Sequence, residues 1–161
     1  MRVDPCSFIG FNVTDTCSIW NILSSLVLLE SAKAANCYFC ITGYVYYEAL
    51  KKPRKKITER ESQLQLALKR QQVKGQFEVH HLSIEELQDI EILEKRKNLG
   101  KGELSSIAFA KRIKQAFLTD DQEARNLASE LLEIKFIQTT PQLFGFLIYK
   151  GKLGDADKNK V

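Results

Sequence analysis

The feature that most limits what this chain can fold into is an alternation of two periodicities. Short runs rich in β-branched and aromatic residues, Phe8 to Thr14, Cys37 to Ile41, Phe77 to Leu82, Ala116 to Thr119 and Ile134 to Gln138, read as strands. Stretches with apolar residues at helical spacing lie between and after them. The first is Cys17 to Lys33, carrying Ile19, Ile22, Leu23, Leu26, Val27 and Leu29. Thr42 can cap a second helix that carries Val45, Tyr46, Glu48 and Ala49 before the break at Pro53. An amphipathic helix follows from Ile57 to Val73, and Ser83 with Glu86 forms a capping box for a helix through Lys97. Further helices are expected over Glu103 to Lys114, Gln122 to Leu132 and from Pro141 onward. Strands alternating with helices require parallel βαβ units. The expected fold is therefore α/β, a single three-layer α/β/α domain with a central parallel sheet of about five strands.

The chain of 161 residues fits one domain, expected over 1–150 with a polar tail over 151–161. Apolar residues at 44% and charged residues at 27% exclude wholesale disorder. The net charge of +4 permits an anionic partner without identifying one. The most apolar stretch, Ile19 to Leu29, is interrupted by Asn21, Ser24 and Ser25 and falls short of the roughly 20 residues that span a bilayer. With no charged and continuous leader pattern at the N-terminus, a cytoplasmic location and no membrane partner are expected. Cys6, Cys17, Cys37 and Cys40 are then expected as reduced, buried, small hydrophobes. Cys37 and Cys40 have the spacing of half a zinc site, but Cys6 and Cys17 do not complete it and the histidines, His80 and His81, are adjacent.

In an open parallel sheet, chemistry gathers at the carboxyl ends of the strands. Asp15 and the pair Asp120-Asp121 follow predicted strands. Four elements recur in order: Val13-Thr14-Asp15-Thr16, Tyr46-Tyr47-Glu48-Ala49, Gly102-Glu103-Leu104-Ser105-Ser106-Ile107-Ala108, and Leu118-Thr119-Asp120-Asp121-Gln122-Glu123-Ala124-Arg125. Their order and spacing resemble the PIN domain family of metal-dependent nucleases, over about Phe8 to Phe146. The Gly102-Glu103 start and the Asp-Asp-x-x-Ala-Arg ending look most like the toxins of bacterial toxin–antitoxin pairs. The resemblance implies an endoribonuclease whose catalytic acids are Asp15, Glu48, Glu103 and Asp121. It also implies Mg²⁺ or Mn²⁺ held by those four with Asp120 as a fifth candidate; the Thr-x-Asp register favours Asp121 over Asp120. It further implies an RNA substrate, an antitoxin or other protein partner, and a homodimer. Leu104 stands where many relatives carry an acid, one position after Glu103.

Elementary chemistry points the same way. Converging carboxylates repel, so a hard divalent cation relieves a penalty, and oxygen ligands select Mg²⁺ or Mn²⁺ over zinc. Thr16 and Thr119 can orient carboxylates or water, and Arg125 can pair with a carboxylate or a phosphate. Against this, acids at helix starts are also favoured by the macrodipole alone.

The run Lys51-Lys52-Pro53-Arg54-Lys55-Lys56 suits an RNA backbone or a solvated helix start. Of Tyr44, Tyr46 and Tyr47, one could stack on an unpaired base, with core packing the alternative. His80 and His81 alternate across a strand, so at most one faces inward. The helix from Ile57 to Val73, with Leu64 and Leu68 a turn apart, is a candidate partner surface. The competing function is a catalytically silent module of the same fold that docks RNA or protein. A phospho-receiver reading fails, because His80-His81-Leu82 and Thr139-Thr140-Pro141 stand where it needs an Asp and a Lys.

Overall fold

A computed structural model describes residues 4–94 and 99–161. The strands are β1 (Phe11–Thr14), β2 (Tyr38–Thr42), β3 (Glu78–His80), β4 (Ala116–Leu118) and β5 (Ile137–Gln138). All pair in parallel, in the order β3-β2-β1-β4-β5. The helices are α1 (Thr16–Leu23), α2 (Leu26–Ala34), α3 (Gly43–Tyr46), α4 (Glu59–Val73), α5 (Ile84–Glu94), α6 (Lys101–Ile113), α7 (Gln122–Leu131) and α8 (Thr140–Tyr149). Among the described residues no helix is long and apolar enough to cross a membrane.

Strand alternation produces the layers. On one face Phe39, Ile41 and Leu118 pack with Ile19, Leu29, Leu68, Leu143 and Leu147 from α1, α2, α4 and α8. On the other, Val13, Cys40 and Phe117 pack with Leu104, Ile107, Ala124 and Leu127 from α6 and α7. A sheet covered on both faces is the expected three-layer fold.

Several elements depart from expectation for local reasons. The apolar run from Cys17 to Lys33 is two helices, because Ser25 turns extended (φ −126°, ψ 105°) and its side chain caps α2 at Leu28 N. The expected fifth strand is mostly a 3-10 turn, Ile134–Phe136, leaving two sheet residues. Helix α6 starts at Lys101, two residues early, behind Gly100. The capping box of Ser83 and Glu86 is present. The helix expected through Lys97 runs to Glu94, with 95–97 outside the described residues. Leu68 is fully buried in the core, so it is not available to a partner, although Leu66 and Val73 on the same helix are exposed. Cys37 and Cys40 are buried as expected, whereas Cys6 and Cys17 are exposed. The polar tail folds back: Leu153 is buried and Ser25 Oγ donates to Lys160 O at 3.1 Å.

Candidate active site at the carboxyl edge

The strand order changes direction at β1: the chain runs outward to β2 and β3, then returns to β4 on the other side. The crevice beyond β1 and β4 is therefore the expected binding position. Register pairs Thr14 with Leu118, so the residues that follow, Asp15 and Thr119, leave the sheet side by side.

Asp15 is the N-cap of α1. Its Oδ1 accepts from Ser18 N at 2.8 Å, and its Oδ2 accepts from Thr119 Oγ1 in a very short hydrogen bond. Thr119 Oγ1 in turn accepts from Asp121 N at 3.1 Å, so one hydroxyl ties two acids together. Asp121 caps α7 through Oδ1, which accepts from Ala124 N at 2.8 Å. Asp120 points differently. Its carboxylate accepts from Thr140 N at 2.8 Å, Thr140 Oγ1 at 2.5 Å and Asn21 Nδ2 at 2.7 Å, fastening β4 to α1 and α8.

Glu48 sits on a π-helical turn, Tyr47–Lys51, beyond α3. Its Oε2 accepts from Thr16 Oγ1 at 3.0 Å and its Oε1 from Gly102 N at 3.2 Å. Gly100, the N-cap of α6, has no side chain to offer, so a carboxylate from across the cleft serves one orphan donor of that helix. Glu103 lies in the same first turn. A Cβ on Gly100 would stand 2.8 Å from Glu103 Oε2 and 3.7 Å from Glu48 Oε1, which sets both carboxylates around one point.

The acids feel one another. Burial raises the Asp15 carboxyl above its ordinary value, with the Asp120 charge adding and the hydrogen bonds from Thr119 and Ser18 opposing. Burial, then the charges of Glu48 and Asp15, raise Glu103. The Cys17 thiol is raised by desolvation of its sulfur and by Asp15, Glu103, Asp121 and Asp120.

The donor set is all hard oxygen, and none of the ion pairs among the described residues gives these five carboxylates a Lys or Arg partner. That chemistry fits Mg²⁺ or Mn²⁺. Among the described residues no three His, Cys, Asp or Glu side chains are grouped closely enough to enclose an ion directly. Mg²⁺ usually keeps several of its waters, which bridge such separations.

Among the described residues Arg125 forms no ion pair with a carboxylate; it donates to Gln122 Oε1 at 2.6 Å and to Thr119 O at 3.5 Å and lines, with Asp120 and Lys158, a cavity of about 760 Å³. A second cavity of similar volume runs along Phe8, Arg125 and Gln142, so volume alone does not mark the acids. Sequence reasoning missed Asn21 and Thr140 as the partners of Asp120, and the room that Gly102 leaves for Glu48. Asn21 carried a signal, being polar within the apolar run Ile19 to Leu23.

A family model described as a PIN domain matches residues 11–140. No curated protein matches the chain.

Proposed function

Because the chain belongs to the PIN domain family, a nuclease-type fold whose members typically use divalent metals, we propose that it is a Mg²⁺- or Mn²⁺-dependent endoribonuclease acting at this edge. The observation that supports the reading is that Glu48 and Glu103 stand around one point beside Gly100 while Thr16, next to Asp15, holds Glu48, with no ion pair from a Lys or Arg to these acids among the described residues. In this reading Asp15, Glu48, Glu103 and Asp121 hold the metal, directly or through water. Asp120 has three hydrogen bonds already and acts chiefly by holding the β4 end in place. The bound cation would acidify an attacking water and offset charge on the phosphate.

The chain's own residues do the rest. Thr119 fixes Asp15 and Thr16 fixes Glu48, so each carboxylate meets its ligand in one orientation. Arg125 and the exposed run Lys51 to Lys56 supply phosphate contacts, which give affinity without reading sequence. The toxin-type role, a silencing protein partner and a dimer belong to the same proposal. Cleavage of a panel of single-stranded RNAs with Mn²⁺ tests it; activity unchanged by EDTA or by Asp15→Asn contradicts it.

The separation of the acids favours one alternative, a silent module of the same fold that docks RNA or protein. A thermal shift with Mn²⁺ separates the two, since a ligand bound only by the native state raises its stability.

A further inference from the structure

The carboxyl edge carries a second concavity, over β2 and β3. It measures about 420 Å³ and is lined by Gly43, Tyr44, Tyr47, His81, Leu82 and Leu87. Its walls are the segments that leave those two strands, so it opens on the same edge as the acids. It is joined to them through the chain at two points. Tyr47 precedes Glu48, and Lys101, whose Nζ lies 6.0 Å from the centre of the Tyr44 ring, stands two residues before Glu103.

The three neighbouring tyrosines separate in use. Tyr46 packs against one core cluster and Tyr44 against the other, while Tyr47 is 49% exposed. Gly43 faces His81: a Cβ there would stand 3.3 Å from Nδ1, so the bare backbone lets the imidazole approach. His80 is spent elsewhere, its ring stacked on Phe109 at 5.0 Å. The cavity is thus mainly apolar, flanked by aromatic rings, with the Lys101 cation beside the Tyr44 ring. Its volume lies within the roughly 300–1,000 Å³ of small-ligand pockets.

We propose that this cavity is a nucleobase subsite, in which one unstacked base of single-stranded RNA lies against Tyr47 and His81 while Lys101 meets the phosphate leading to the acids. The assignment rests on the nuclease reading and names what it recognises. Flat π faces beside cations suit a base joined to a phosphate, and stacking of this kind tolerates any base. β2 is the neighbour of β1 and adjacent strands lie about 4.8 Å apart, so the cavity over the ends of β2 and β3 begins beside the strand that Asp15 follows. That gap is within the reach of a single nucleotide.

The test is RNA binding by the full chain in EDTA, using a single-stranded pentamer with 2-aminopurine at successive positions. The wild type is expected to quench one position. Tyr47→Leu should lose that quench and bind about tenfold more weakly, and Tyr47→Phe should restore both. Because Tyr47 is half exposed, the variant should melt with the wild type. Binding and quench that Tyr47→Leu leaves unchanged would overturn the subsite and leave the cavity to an apolar side chain of a protein partner; so would an absence of RNA binding. Tyr47-dependent binding without cleavage under Mn²⁺ would keep the subsite and reject the nuclease, and cleavage indifferent to Tyr47→Leu would do the reverse.

Discussion

Glu48 and Gly102, 54 residues apart, meet across the cleft: Glu48 Oε1 accepts from Gly102 N at 3.2 Å, and a Cβ on Gly102 would stand 2.8 Å from Glu48 Cδ and overlap Oε2. The missing side chain at 102 is what lets a remote carboxylate both cap α6 and stand beside Glu103.

Gly102→Ala should therefore fold. The overlap is with the far end of a flexible side chain, and alanine favours a helix by about 0.5–1 kcal/mol over glycine. The loss of a hydrogen bond to a charged group, about 1.5–3 kcal/mol, works against this. A melting temperature within a few degrees of wild type, with RNA cleavage down at least about tenfold, is the expected outcome. Circular dichroism melts and cleavage rates check it.

Asp15→Asn should leave the metal-free protein at least as stable as wild type at neutral pH. An amide keeps the cap on Ser18 N and can donate to Thr119, without the cost of a buried charge. Burial holds the Asp15 carboxyl above 3.8, its ordinary value, so in the interval above 3.8 the native state binds more protons than the unfolded one. Wild-type stability should fall as pH rises through that interval, and the variant should lack this contribution. Glu103, raised in the same direction, should keep part of the trend in both. Denaturant melts in EDTA between pH 3.5 and 7 measure it.

Thr119→Val keeps shape and removes one hydroxyl, leaving Asp15 Oδ2 without a donor and Asp121 N without an acceptor. Unpaired buried polar groups cost about 1–3 kcal/mol, so this variant should lose stability as well as activity. Thr119→Ser should recover most of both.

Thiol labelling reads the acidic field without assaying activity. Cys37 and Cys40 are buried and their thiols pushed up to about 11 and about 12, so at pH 7 they should react only on unfolding. Cys17 should react in the native protein, and Mg²⁺ should speed it by offsetting the four charges that raise its thiol. Desolvation of the sulfur raises the thiol most and is untouched by the cation, so the acceleration should be partial.

The legible parts of this protein were those written locally. Asp15 and Asp121 each follow a strand and cap the next helix, and the Thr42 cap and the Ser83–Glu86 box likewise show in short motifs. The parts that escaped depend on distant partners. The hydrogen bonds that hold Asp120 come from Asn21, 99 residues earlier, and from Thr140. The early start of α6 depends on Glu48, and the break after Leu23 on Ser25 preferring a cap to a helix interior. Tyr47 differs from Tyr46 only in which way the π-helical turn faces, which no spacing rule encodes.

The central claim is that the edge acids hold a divalent cation, and calorimetric titration of Mn²⁺ into EDTA-stripped protein tests it most directly. The account expects saturable binding that weakens at least about tenfold in Asp15→Asn and is unaffected by Tyr47→Leu. Absence of binding, or binding that Asp15→Asn leaves intact, would contradict it.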